Sequence, residues 1–239
     1  MKRFKISPMK KKVVLAAMLL ITVLASSCSD DDDDVVVPQA AYVSVINALA
    51  GSQPLDFFLD ENQTNNNGIR YGDGRDYISA FTGERRVTFR ETGSVQSILT
   101  DTVTLENEEY YSLFLAGAID KPELIFLHDT ITQPARGNAA VRFVNLSADA
   151  GPVDLVIKQG PVLASGRNYK EYTSFTEVQG YNRYTIEVRE AGTASVLASI
   201  TNAELRGNSV YTVWLQGFKN SDAGHILQAR IILNALYFN

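Results

Sequence analysis

One stretch of this sequence occurs twice. It runs from Val43 to Leu59 and again from Val141 to Ile157, 98 residues later, with no gap between matching positions. Asn47 falls on Asn145, Pro54 on Pro152 and Asp56 on Asp154. Each copy reads as a strand, a tight polar connection closed by proline, and a second strand. A chain built this way is expected to fold as two similar units in tandem.

The copies stay parallel beyond the opening pair. Val87 to Gly93 aligns with Ile186 to Gly192, an alternating strand ending in a glycine turn. Tyr111 to Gly117 aligns with Tyr211 to Gly217, and Ser97 to Leu99 with Ser195 to Leu197. Helical periodicity is absent from every long window. Short strands with frequent turns, in a unit of about 100 residues, predict an all-β chain of two tandem immunoglobulin-like β-sandwich domains after a signal peptide and acidic linker. The expected boundaries are 1–27 for the signal peptide, 28–39 for a lipidated cysteine and linker, 40–133 for the first sandwich and 134–239 for the second. Leu105 and Tyr111 are spaced like Leu205 and Tyr211, with polar turn residues between. That spacing resembles the tyrosine corner, whose phenol bonds back to turn backbone. Separate sandwiches imply separate cores, and so independent melting.

The first forty residues are of another kind. Lys10, Lys11 and Lys12 precede an apolar run from Val13 to Ala25. Thirteen residues suit a signal-peptide core and fall short of a membrane span. Met9, just ahead of the lysines, is an alternative start. Small residues then lead to Cys28, the one cysteine of the chain. This resembles a bacterial lipobox, with Ala25 standing where a branched residue is usual, and it marks Cys28 as the expected lipid attachment site. Ser29 and the five aspartates Asp30 to Asp34 follow. Such a run is expected to be a solvated spacer, and beside a lipidated cysteine it resembles the export signal of Bacteroidota surface lipoproteins. The expected location is therefore the outer membrane, lipid-anchored and facing outward.

Charge narrows the partners. The net charge is −5, but the first 27 residues hold six basic and no acidic side chains. The remainder carries 16 basic and 27 acidic residues, a net of −11, which disfavours nucleic acid. His128 and His225 are the two imidazoles, and neither stands in a metal-ligand spacing. No nucleophile elbow, P-loop or dinucleotide fingerprint occurs. Asp56 and Asp154 recur behind a proline and read as turn residues rather than a catalytic pair. Tyr71 to Asp76 reads as a glycine turn rather than a calcium loop. Asp101-Thr102-Val103 and Asp129-Thr130-Ile131 match a short O-glycosylation pattern. Two surface stretches differ between the copies: the asparagine-rich Asp60 to Gly68, and the apolar Gly160 to Ala164. Loops at the end of a rigid sandwich are where recognition is expected.

The Asn-x(6)-Pro-x-Asp hairpin, the Tyr71-Gly72 pair, Gly83 before a strand and the ending Tyr211 to Gly217 together resemble the family catalogued as domain of unknown function 4397, over roughly Ala41 to Asn234. The second copy lacks a Tyr-Gly pair and has Asn168, Tyr169 and Lys170 near that place. The resemblance implies an immunoglobulin-like fold and an envelope location, and implies no activity. The expected function is a non-catalytic binding or structural module at the cell surface, with a glycan or envelope protein as partner and no metal or cofactor. A polysaccharide-acting enzyme using paired carboxylates is the alternative.

Overall fold

The structure, a computed structural model, describes residues 39–221 and 225–238. The signal peptide, Met9, Cys28 and the aspartate run lie outside the described residues. Pro38–Asn239 forms one compact unit, and every strand pairing described below closes within it.

Sixteen strands follow one another and no helix occurs among the described residues. In the first copy they are β1 (Ala40–Asn47), β2 (Leu55–Leu59), β3 (Asn62–Gln63), β4 (Gly74–Phe81), β5 (Gly83–Glu91), β6 (Ser97–Leu105), β7 (Tyr110–Ala118) and β8 (Lys121–His128). The second copy supplies β9 (Asn138–Asn145), β10 (Val153–Ile157), β11 (Val162–Arg167), β12 (Thr176–Gln179), β13 (Asn182–Glu190), β14 (Val196–Leu205), β15 (Ser209–Gln216) and β16 (Gln228–Leu236). The sheets are ordered β4-β1-β7-β8 and β3-β2-β5-β6 in one copy, β12-β9-β15-β16 and β11-β10-β13-β14 in the other. Strand for strand the two orders are the same. Pairing is antiparallel except for β1 with β7 and β9 with β15, which run parallel. The all-β, double-sandwich expectation holds.

Each sandwich has its own core. Val43, Leu55, Phe57, Phe89, Leu113 and their neighbours fill the first, and Phe143, Leu155, Ile186, Val188 and Val213 the second. The tyrosine corners are present in both. The Glu106 N–H donates to the Tyr111 hydroxyl at 3.1 Å, and the Arg206 N–H to the Tyr211 hydroxyl at 3.0 Å. Both rings are buried.

A third core, which the tandem pattern does not anticipate, joins the two. Ile46, Ala48, Phe114, Ala116, Ile125 and Leu127 of the first copy pack against Val144, Leu146 and Trp214 of the second. The central strands are thus buried on both faces. Along β7, Tyr111, Leu113 and Leu115 enter the first core while Phe114 and Ala116 enter the junction. Along β15, Tyr211, Val213 and Leu215 enter the second core and Trp214 the junction. Strands covered on both sides need apolar residues at both parities, and these have them. By the repeat alignment Phe114 corresponds to Trp214, and the two rings meet edge to face at 6.3 Å. Contact between equivalent residues is what a two-fold axis passing beside them would give.

Beside this apolar seam runs a buried polar one. Arg142 and Asp129 are each 2% exposed, with Nη1 and Oδ1 2.5 Å apart. Ser112 donates to Asp129 at 2.6 Å and receives Arg142 Nη2 at 2.8 Å. Arg142 Nε donates to Thr212 at 2.9 Å, and Thr212 to Asn234 at 2.6 Å. The Tyr77 hydroxyl donates to Asp129 at 2.5 Å and accepts from Asn234 at 3.0 Å. Burial, and then the Asp129 charge, push the Tyr77 hydroxyl far up, so it stays a donor. Removing one partner of such a buried pair typically costs roughly 3–5 kcal/mol, because the other charge is left without compensation. Asp129, read from the sequence as part of a glycosylation pattern, is a structural anion between the copies.

The shared seam changes the expected unfolding. Tyr211→Phe removes one acceptor from the Arg206 N–H and should cost about 1 kcal/mol. Trp214, the single tryptophan, reports from the junction itself. Urea unfolding followed by its fluorescence and by far-ultraviolet circular dichroism should give coincident curves, both shifted by Tyr211→Phe. Separate transitions for the two copies would show that the seam does not couple them.

Candidate functional site

The two copies diverge most after their second strand. In the second copy the apolar stretch singled out in the sequence is not a free loop but the approach to β11, which pairs with β10 and sends Leu163 and Ala164 into the core. The first copy has only the two-residue β3 there; further along the β2 edge the Thr64 N–H donates to the Phe57 carbonyl and Ile69 bridges Leu55, which leaves the Phe57 N–H between them. Asn65 takes the missing strand's place. Its Oδ1 accepts from the Phe57 N–H at 2.7 Å and its Nδ2 donates to the Leu55 carbonyl at 3.1 Å. The buried carboxamide thus satisfies the Phe57 N–H, which would otherwise be costly to bury, and adds a second donor to the Leu55 carbonyl, which also accepts the Ile69 N–H.

Freed from strand pairing, the following residues turn outward. Asn66, Asn67 and Arg70 are exposed, and Arg75 Nη2 donates to the Asn67 carbonyl at 2.6 Å. Two adjoining cavities, of about 340 and 750 Å³, share Asn66, Asn67, Ile69, Arg75 and Asp76. The smaller reaches down to Val43, Val45 and Phe57, with Tyr77 at its side. The larger is closed by Asp73 from the glycine turn and by Trp214, Ile231 and Ile232 from the second copy. Volumes of roughly 300–1,000 Å³ with an apolar floor and a few convergent polar groups are typical of ligand sites. Here the polar groups are amides, a guanidinium and carboxylates, which offer donors and acceptors in fixed planes.

The Tyr71-Gly72 pair builds one wall. Gly72 has φ of +84°, and its N–H donates to the Asn47 carbonyl at 2.8 Å. A Cβ on Gly72 would come within 2.7 Å of Arg230 Nε, so both backbone and space demand glycine. The second-copy counterpart, insecure in the sequence, is now fixed: the Lys170 N–H donates to the Asn145 carbonyl at 2.7 Å, with φ of +69°. Tyr169 and Lys170 therefore stand for Tyr71 and Gly72. Each pair faces the other copy, since Lys170 forms an ion pair with Glu123. Burial pushes the Tyr71 hydroxyl up to about 12, against the pull of Gln216 and Arg230. Tyr71 is a packing residue, edge to face with His225 at 5.8 Å.

The remaining sequence candidates do not line the groove, although Asp56 borders it through Asn65 and Thr92. Asp56 accepts from Thr92 at 3.0 Å. Asp154 accepts the Gly166 and Gly192 amides at 2.7 and 2.9 Å. Both carboxylates are strand-end ties, and the pair is not brought together for chemistry. His128 meets Glu109 at 2.6 Å on the surface. No group of three or more His, Cys, Asp or Glu side chains able to hold a metal occurs among the described residues. Cys28 lies outside them.

Residues 41–156 match the family described as Domain of unknown function (DUF4397). The DUF4397 match covers the first sandwich and the opening hairpin of the second. No curated protein matches the chain. Among solved structures, a family 26 carbohydrate-binding module of Eubacterium rectale Amy13K, in complex with maltoheptaose, is 6% identical and aligns over 82% of this chain and 97% of its own, with a TM-score of 0.27. A streptococcal virulence factor that binds alpha-glucan is 8% identical over 80% of this chain and 97% of its own, at 0.23. A leucine-rich repeat protein from Bacteroides thetaiotaomicron is 13% identical over 83% of this chain and 27% of its own, at 0.17. At such scores each neighbour's ligand remains a property of that neighbour.

Asp154 allows a test of the hairpin ties that frame both copies. Burial raises its pKa, but the Gly192 and Gly166 amides, with Ser165 and the Arg189 charge, outweigh burial and hold the carboxyl below the ordinary aspartate range. A depressed folded pKa means a stabilisation complete above the unfolded value, about 3.9, and lost as pH falls through the lower folded value. Asp154→Asn should cost about 2 kcal/mol at neutral pH. Urea titrations at stepped pH should show that gap holding to about pH 5 and shrinking below about pH 4.

Proposed function

We propose that this protein is a lipid-anchored, outward-facing binding module of the cell envelope that holds a glycan, without catalysis, in the groove beside Asn65. One observation carries the reading. The first copy interrupts its strand edge between β3 and Ile69, bonds the Phe57 N–H there through Asn65, and turns Asn66 and Asn67 over a cavity shared with Arg75 and Asp76. Sugar hydroxyls are matched by planar amides, carboxylates and guanidinium groups that can donate and accept in pairs. The double sandwich beneath is packed through three cores, and a site held by such a scaffold needs little ordering on binding.

A glycan array probed with the fragment from Gln39 onward should show selective retention. Asn66→Ala combined with Asp76→Ala should weaken it at least tenfold, about 1.4 kcal/mol, without moving the urea midpoint by more than the surface range of about 0.5 kcal/mol. An array without hits, together with co-purification of envelope proteins, would instead support a structural role.

A second reading has one observation of its own. Asp73 and Asp76 both line the larger cavity, and paired carboxylates suffice for glycoside hydrolysis. Sugar release that disappears in Asp73→Asn and Asp76→Asn would replace binding with catalysis.

Anchoring rests on Cys28 and the sequence around it. Cys28→Ala should abolish acyl labelling and leave uncleaved precursor in the inner membrane. Replacing Asp30 to Asp34 with alanine should keep acylation but hold the protein on the periplasmic side. Normal processing and surface arrival of Cys28→Ala would end the lipoprotein reading.

A further inference from the structure

We propose that the end of the second sandwich around Tyr181 is a separate binding site for acidic glycans, taking a uronate-containing oligosaccharide. It lies apart from the groove in the first copy and does not depend on that site being occupied. A concavity of about 660 Å³ is lined by Tyr181, Phe238, Arg136, Arg206 and Glu204 among others. The two rings are 72% and 89% exposed. They stand beside guanidinium groups at one end of a body that is otherwise strongly acidic.

Comparison of the copies shows that this end is specifically altered. The turn entering the fifth strand is one residue longer in the second copy: Gly83 and Asn182 hold the same register position, opposite Leu105 and Leu205, and Tyr181 stands just before it. Gly83 has φ of +93°, and Tyr181 lies in the left-handed region at +55°. A bulky aromatic is uncommon there. The opposing position changes in the other direction. Gly207 stands where the first copy has Asn107, whose side chain accepts from the Ala40 N–H. A Cβ on Gly207 would come within 2.1 Å of the Tyr181 ring. The ring therefore lies on Gly207, fixed in place, with its other face to water. A tyrosine in a left-handed turn and a glycine beneath it present one flat aromatic surface.

The charges select the ligand. Glu204 is the carboxylate of the wall, and Arg183 pairs with it at 2.5 Å and Arg206 at 3.7 Å. Glu177, nearby, is engaged by the Ala135 N–H and Asn138. Arg136 forms no ion pair among the described residues. Two guanidiniums against one carboxylate leave the concavity with positive charge. A pyranose lays its C–H face on an aromatic ring, and a uronate adds the anion that a guanidinium recognises through paired hydrogen bonds. Neutral glycans would use the ring alone.

Isothermal titration of the Gln39 onward fragment with oligogalacturonate, and with maltoheptaose as neutral control, tests this. The acidic oligosaccharide should bind more tightly, and its affinity should fall as salt rises. Arg136→Gln with Arg206→Gln should remove that preference. Tyr181→Gly relieves a left-handed backbone, so thermal stability should hold or rise while affinity falls roughly tenfold. Weakened binding with retained stability separates recognition from folding. Unchanged binding in Tyr181→Gly would overturn the proposal, as would equal affinity for both oligosaccharides or no binding at all. Binding lost in the Asn66 and Asp76 variant but kept in Tyr181→Gly would move the acidic glycan to the first-copy groove. Concentration-dependent dimerisation abolished by Tyr181→Gly, without oligogalacturonate binding, would make the surface a contact between copies of the chain and also overturn it.

Discussion

The structure depends on strands that are covered on both faces. β1 and β7 in one copy, and β9 and β15 in the other, each send alternate residues into their own sandwich and into the seam between sandwiches. An immunoglobulin-like sheet normally leaves its outer face to water, where polar side chains suffice. Here that face carries Ile46, Phe114 and Trp214, and each copy needs the other to bury it. The Arg142–Asp129 pair lies at the same seam. Apolar packing of this kind tolerates some sliding, whereas a buried guanidinium with Asp129, Ser112 and Thr212 all in reach has one satisfactory arrangement. The apolar part supplies the attraction, and the polar part fixes the alignment.

Much of the fold could be read from the chain. The 98-residue repeat, the alternating strands and the six-residue spacing before Tyr111 and Tyr211 led to two sandwiches with tyrosine corners, and both corners are formed. The seam was not read, although its trace is present. Leu113-Phe114-Leu115-Ala116 is apolar at both parities, which a strand with one wet face does not need. Arg142 and Asp129 gave no comparable trace. A lone arginine within a strand and an aspartate after one look like surface residues until the partner sheet is in place.

The candidate groove was legible only in outline. The asparagine-rich stretch stood out because the second copy is apolar there, and the difference proved to be the exchange of a strand for a loop. Asn65 could not be distinguished from Asn66 or Asn67, because nothing local says which carboxamide turns inward. Tyr181 was hidden for a related reason. The turn that carries it is one residue longer than its first-copy counterpart, a difference that only the strand register on either side reveals. In both places the information lies in a difference between copies, visible only when the register is certain.

The two-fold seam bears on how such a chain could arise and vary. A single repeat would present Ile46, Phe114 and their neighbours to water and would close that face by pairing with another of its kind. Joining two repeats in one chain makes that pairing intramolecular, with a partner always at high effective concentration. Two separate identical chains must change together at every position. Two joined copies are released from that constraint, and each can alter its outer end while the shared face is kept. The turn before the fifth strand is such an end, one residue longer in the second copy and carrying Tyr181.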